Sequence, residues 1–182
     1  LLVGSSAINA SSSTEVLGSA EAGIKVILYK VNAIDPTDVE MLNEYYFETM
    51  HHEFAHILHQ KKNYPTEYNQ ISAADYSSTG WQNRTEQQAW KLGFVTPYAG
   101  MEPQEDFVEV IANYLVKPDG FWENMLANAG TEGATKIQTK FDMVKEWLMT
   151  AWNIDIDELR TIIIRRSGDI DSILNEKIAY NE

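Results

Sequence analysis

The sequence contains no cysteine. That excludes a disulfide framework, thiolate ligands to a metal and a cysteine nucleophile, and it leaves the redox compartment open. Cations are scarce: 14 Lys and Arg stand against 27 Asp and Glu, a net charge of −13. Phosphate backbones are held by clustered Lys and Arg, so nucleic acid is not an expected partner. Electrostatic attachment to anionic lipid is disfavoured for the same reason. No apolar run approaches the roughly 20 residues of a membrane-crossing helix. Membrane association is therefore expected only through a lipid anchor outside this chain. Because the chain opens on Leu1 rather than methionine, an upstream signal peptide or lipoprotein leader is an expectation. There is no internal repeat, low-complexity block or linker.

Hydrophobic residues make up 44% and aromatics 11% of the 182 residues, enough for a real core, and the length suits one domain or two small lobes sharing a cleft. Residues 1–18 read as a weak strand followed by a mobile Ser11-Ser12-Ser13-Thr14 turn. Ile24 to Val31, IKVILYKV, is β-branched and mostly apolar and reads as a strand. Its place is open between an edge strand above the next helix and an interior strand. That helix is expected to start at Asp35-Pro36, with Asp35 as cap, and to run to about residue 60, continuous or broken near Asn43. Helices are further expected at about 86–91, from Pro103 to Leu115, at 121–129, at 131–151 and from Ile156 to Arg165, with a short last helix or edge at 168–182. The five tryptophans, Trp81, Trp90, Trp122, Trp147 and Trp152, read as core, with Trp81 in a loop where it could reach a ligand.

All four histidines fall in one stretch of the first helix, His51-His52-Glu53-Phe54-Ala55-His56-Ile57-Leu58-His59. It contains HExxH. Residues i and i+4 share a helix face, so His52 and His56 can bind one metal ion with Glu53 beside them. That is the zinc-peptidase arrangement: two imidazoles hold Zn²⁺ and the carboxylate takes a proton from a water on the metal. His51 and His59 fall off the ligand face and are assigned to solvent or the core edge.

A third ligand is needed. The metzincin pattern would place glycine and histidine where His59 and Lys62 stand, so it fails. With no other histidine, the ligand must be a carboxylate. The candidates lie in Glu105-Asp106-Phe107-Val108-Glu109 on the second strong helix. Glu105 and Glu109 share a face, and one can bind metal while the other hydrogen-bonds a ligating histidine. Asp106 reads as a helix N-terminal charge, and remains an alternative ligand.

HExxH followed about fifty residues later by ExxxE on a helix resembles the gluzincins. The resemblance implies that the first glutamate, Glu105, is the ligand. The anthrax lethal factor-like group has the most similar second motif. Its members also carry a tyrosine seven residues before the ligand, placed to stabilise an oxyanion; Tyr98 occupies that position. The wider wording GSAEAGIKVILYKVN, HHEFAHILHQ, GFVTPY and EDFVEVIANYL, spanning about residues 15–116, is similar to the zinc-binding metallopeptidases of Bacteroidetes known as substrate import-associated zinc metallohydrolase lipoproteins.

The resemblance implies an α+β, mostly helical, zincin-like fold in a single domain, 1–182. A small N-terminal sheet and the active-site helix would occupy 1–60, and a helical lobe with the third ligand 61–182. It implies Zn²⁺ as cofactor, a peptide or protein substrate, Glu53 as general base, Tyr98 as oxyanion donor and Glu109 behind a histidine ligand. The implied setting is the cell envelope of a Gram-negative bacterium, as an outer-membrane lipoprotein beside nutrient-import proteins. Two rival readings are a zinc hydrolase of glycan or glycopeptide amides, and a non-catalytic component of such an import system. The intact Glu53 speaks against the second, since a structural site needs no base.

Overall fold

The computed structural model describes residues 1–10 and 13–179. Ser11 and Ser12 of the expected turn, and residues 180–182, lie outside the described residues. The fold is α+β and mostly helical, with two small antiparallel strand pairs at the N-terminal end. Strand β1 (Ala7–Ile8) pairs with β2 (Glu15–Val16), and β3 (Gly18–Glu21) with β4 (Lys25–Leu28). Beyond β4, on its other side, runs the start of the chain: Leu28 N–H donates to Leu1 O at 2.9 Å and Val3 N–H to Leu28 O at 2.8 Å.

The apolar run 24–31 therefore lies inside the sheet, which decides between the two places open to it. The edge is β3, whose small residues Gly18, Ser19 and Ala20 carry little strand signal. Strand β3 crosses over the helix that carries His52, Glu53 and His56. Gly23 N–H donates to Gln60 Oε1 at 2.6 Å at one end. At the other, a Cβ on Gly18 would lie 2.6 Å from Glu53 Cγ and 2.8 Å from Thr49 Cγ2. Only glycine allows that approach.

The first helical run opens at α1 (Val39–Met41), not at Asp35. Asp38 is the cap, its carboxylate accepting from Met41 N–H at 2.9 Å. Asp35 instead accepts from the backbone and hydroxyl of Thr37, a local turn. The run passes through a π-helical segment, Leu42–Phe47, and continues as α2 (Glu48–Lys61). The irregularity expected near Asn43 is thus a π segment within a continuous helix. There Asn43 bonds Ser167 at 2.7 Å.

Helix α3 (Glu86–Leu92) opens on a capping box of Thr85 and Gln88 and closes on Gly93, whose φ of 89° is the left-handed cap that glycine favours. Helix α4 (Pro103–Val116) begins with proline in its first turn and is buried nearly all round. Phe107, Val108, Val110, Ile111, Ala112 and Leu115 form the centre of the core. Helices α5 (Phe121–Asn128) and α6 (Gly130–Trp152) close over it with Ile137, Phe141, Val144, Trp147 and Leu148. Each such side chain is worth roughly 1.5–3 kcal/mol when fully buried.

Helix α7 runs unbroken from Ile156 to Ala179, where two shorter pieces are expected from the sequence; Asp155 caps it through the N–H groups of Asp157 and Glu158. Trp90 and Trp147 are buried, Trp122 and Trp152 pack half-buried against the core, and Trp81 lies beside Tyr98 with ring centroids 5.0 Å apart.

Candidate metal centre

Helix α2 packs along α4, and the facing sides of this pair carry the polar groups of the site. His52 and His56 stand one turn apart on α2, with their rings 4.8 Å apart. Glu105 reaches them from the first turn of α4. His52 Nε2 to His56 Nε2 is 3.2 Å, His52 Nε2 to Glu105 Oε2 is 3.1 Å and His56 Nε2 to Glu105 Oε2 is 3.4 Å. These three atoms form a nearly equilateral triangle. A tetrahedral zinc with ligands at about 2.0–2.2 Å has ligand–ligand edges of about 3.3–3.6 Å. The donor set and its spacing therefore fit Zn²⁺, and the three residues are a group that could hold a metal ion.

Each histidine is fixed from behind. His52 Nδ1 lies 2.7 Å from Glu109 Oε1, and Glu109 Oε2 accepts from the Thr96 hydroxyl at 2.5 Å. Asn113 Nδ2 donates to the Glu109 backbone carbonyl at 3.1 Å. The structure thus places Glu109 behind His52. His56 Nδ1 lies 2.8 Å from His59 Nε2. His59 is buried and its ring packs on Tyr64, so of the two places expected for it the structure takes the core edge and not solvent. The signal was available: residues i and i+3 are neighbours on a helix. His51 is half-buried, and burial holds its imidazole down at about 4.

Asp106 lies in the first turn of α4, where a helix N-terminal charge is expected. The triangle is made with Glu105 and not with Asp106, the alternative ligand. Asp106 is fully buried, 2.6 Å from Lys140 Nζ, and accepts from the Tyr76 hydroxyl at 2.6 Å. Consecutive helical residues diverge by about 100°, so Glu105 and Asp106 face different neighbours.

The electrostatics follow from burial and close pairing. Burial pulls the His52 imidazole down, but hydrogen bonds to Glu105 and Glu109 and their charge outweigh it and hold it at about 10. Burial pushes the Glu105 carboxyl up, yet its bonds to His52 and His56 win and keep it well below the usual range. Glu53 is buried beside the triangle and its carboxyl is raised, chiefly by desolvation. Tyr98 sits with its ring 5.9 Å from that of His52, and its hydroxyl interacts with Glu105. Burial and that carboxylate hold the phenol protonated and able to donate.

The structure brings together all six residues singled out in the sequence: His52, Glu53, His56, Tyr98, Glu105 and Glu109. It adds His59, Thr96 and Gly18. Thr96 lies two residues before Tyr98 and bonds a carboxylate thirteen residues away, which no local pattern signals.

Residues 1–157 match the family model described as "Putative zinc-binding metallo-peptidase". No match is found among curated proteins. The crystal structure of a "putative zinc-binding metallo-peptidase" from Bacteroides caccae is 46% identical, with a TM-score of 0.76 over 93% of this chain. The chain spans 61% of that relative's length. Wording, fold and donor triangle agree, and the chain belongs to the family described as "Putative zinc-binding metallo-peptidase".

Proposed function

We propose that the chain is a zinc-dependent metallohydrolase of the gluzincin type that cleaves peptide bonds. The observation that carries this is the triangle of His52, His56 and Glu105 with Glu53 buried beside it. Zinc, when bound, supplies the Lewis acidity that lowers the pKa of water and polarises a carbonyl. Glu53 accepts the proton of the attacking water and passes it to the leaving amine. Tyr98 donates a hydrogen bond to the developing oxyanion, a contribution of roughly 3 kcal/mol at such sites. Glu109 and His59 fix the rings and tautomers of His52 and His56.

An extended substrate would lie along β3, the edge strand above Glu53, and add to it through backbone hydrogen bonds. Trp81, packed on Tyr98, would border that substrate. The cell envelope, with a lipid anchor and nutrient-import partners, is the setting we infer from the resemblance to the Bacteroidetes lipoproteins. Among the described residues no helix is long and apolar enough to cross a membrane.

The test is elemental analysis of purified protein with turnover of peptide and glycopeptide libraries. About one zinc per chain in wild type, lost in Glu105→Ala, together with peptide cleavage abolished in Glu53→Gln, is the expected result. Zinc retained in Glu105→Ala would dismiss the ligand set. Cleavage confined to glycan amides would transfer the reaction to another substrate class.

A further inference from the structure

Among the described residues, Lys140 and Asp106 form an ion pair with both side chains 0% exposed. Lys140 Nζ lies 2.6 Å from Asp106 Oδ2 and donates to the Gly93 carbonyl at 2.7 Å, 4.3 Å over the ring of Phe94. Asp106 takes a second bond from the Tyr76 hydroxyl on the same oxygen. A buried pair of this kind is a poor device for stability, because desolvation of two charges offsets their attraction. Apolar residues of the same volume would do as well or better for the core.

Its position suggests another use. Asp106 is joined to Glu105, and both lie in the first turn of α4. Gly93 begins the 93–98 loop, which carries Thr96 and Tyr98. One ammonium group on α6 therefore ties together the two segments that deliver Glu105, Glu109, Thr96 and Tyr98 to the site. The side-chain tips of a helix lie about 5–6 Å from its axis, so a rotation of about 20° moves a carboxylate by about 2 Å. A shift of that size would open the triangle well beyond a tetrahedral edge.

We propose that Asp106 and Lys140 are positioning residues of the metal site: their buried pair sets the rotation of α4 and the seat of the 93–98 loop, and so holds Glu105 in ligand geometry. The proposal rests on the zinc reading above. Neither residue touches the metal.

The test separates positioning from packing. Zinc affinity is measured by chelator competition, and thermal stability by circular dichroism, for wild type, Lys140→Met, Asp106→Asn and the apolar double variant Asp106→Leu with Lys140→Met. Lys140→Met is expected to lose both stability and affinity, since it strands a buried carboxylate. The double variant is expected to regain stability yet to bind Zn²⁺ about 10- to 100-fold more weakly than wild type. Asp106→Asn keeps the shape, the Tyr76 bond and an oxygen facing Lys140, so it should fold at lower stability than wild type because the ammonium loses its counter-charge, with an affinity loss of several-fold or more measured well below its melting temperature. Wild-type affinity in either folded variant would reduce the pair to core packing and overturn the proposal. If the double variant fails to fold, Asp106→Asn alone decides. A wild-type protein that takes up no zinc removes the zinc reading itself, and the positioning role with it.

Discussion

His52 Nδ1 sits 2.7 Å from Glu109 Oε1, and Thr96 occupies the other oxygen of that carboxylate. The His52 ring is thereby fixed by a group that is itself fixed. Glu109→Gln replaces the charged acceptor with an amide whose NH₂ can face the wrong way. We expect zinc affinity to fall about 10-fold or more with little loss of fold. Chelator competition against wild type measures it. An unchanged affinity would mean that Glu109 does not orient His52.

His59 stands behind His56 as Glu109 stands behind His52, but as an imidazole that burial keeps neutral. His59→Ala should weaken zinc binding about 10- to 100-fold. His51→Ala, a change on the same helix at a half-buried histidine outside the ligand contacts, should leave it near wild type. Equal effects in the two variants, read by calorimetric titration, would remove the special role given to His59.

Glycine 18 leaves room for the base. Gly18→Ala would put a methyl 2.6 Å from Glu53 Cγ, a separation no real contact tolerates, so Glu53 must move. Zinc content should stay at wild-type level while peptide turnover drops about 10-fold or more. Metal analysis and turnover on the same sample check both halves. Loss of zinc together with activity would show that β3 holds the metal ligands rather than the base.

Zinc uptake should release a proton. In protein stripped of metal, His52 is held at about 10 by Glu105 and Glu109, after burial has pulled it down. A group whose pKa is raised on folding stabilises the fold fully below its unfolded value. The stripped protein should therefore lose this contribution as pH climbs from 6.5 through about 10. Zinc competes with that proton, so affinity should rise over the same window. Titration calorimetry at pH 7 in buffers of different ionisation enthalpy should give about one proton released per zinc. A heat independent of buffer would contradict the assignment.

The cluster of His52, His56 and Glu53 is legible in the sequence because helical spacing alone brings the three side chains together. Exhausting the histidines leaves only the conclusion that the third ligand is a carboxylate; that it is Glu105, with Glu109 behind a histidine, is what the resemblance of HExxH and ExxxE to the gluzincins implies. His59 is less legible: its ring is off the ligand face but one turn from His56, and only the second-neighbour geometry reveals it. The Asp106–Lys140 pair spans two helices and has no sequence signature. Nor has the edge role of β3, where Gly-Ser-Ala lacks β-branched residues and earns its strand from pairing with β4. The interior place of β4 depends on the first three residues of the chain, which no pattern within IKVILYKV can show.

The π-helical segment Leu42–Phe47 gives the molecule an uneven tolerance to changes in length. A π turn holds more residues than an α turn, so removing one residue here lets the ladder relax to an ordinary α-helix with the flanking turns facing nearly as before. The same deletion inside α2 would swing everything before it by about 100° around the axis. Asn43 would then leave Ser167, and α7 would lose its grip on the helix that carries the histidines. A single deletion should therefore be absorbed between Leu42 and Phe47 and not between Glu48 and Lys61. For anyone aligning or grafting this chain, the residue count of α2 matters more than that of the segment before it.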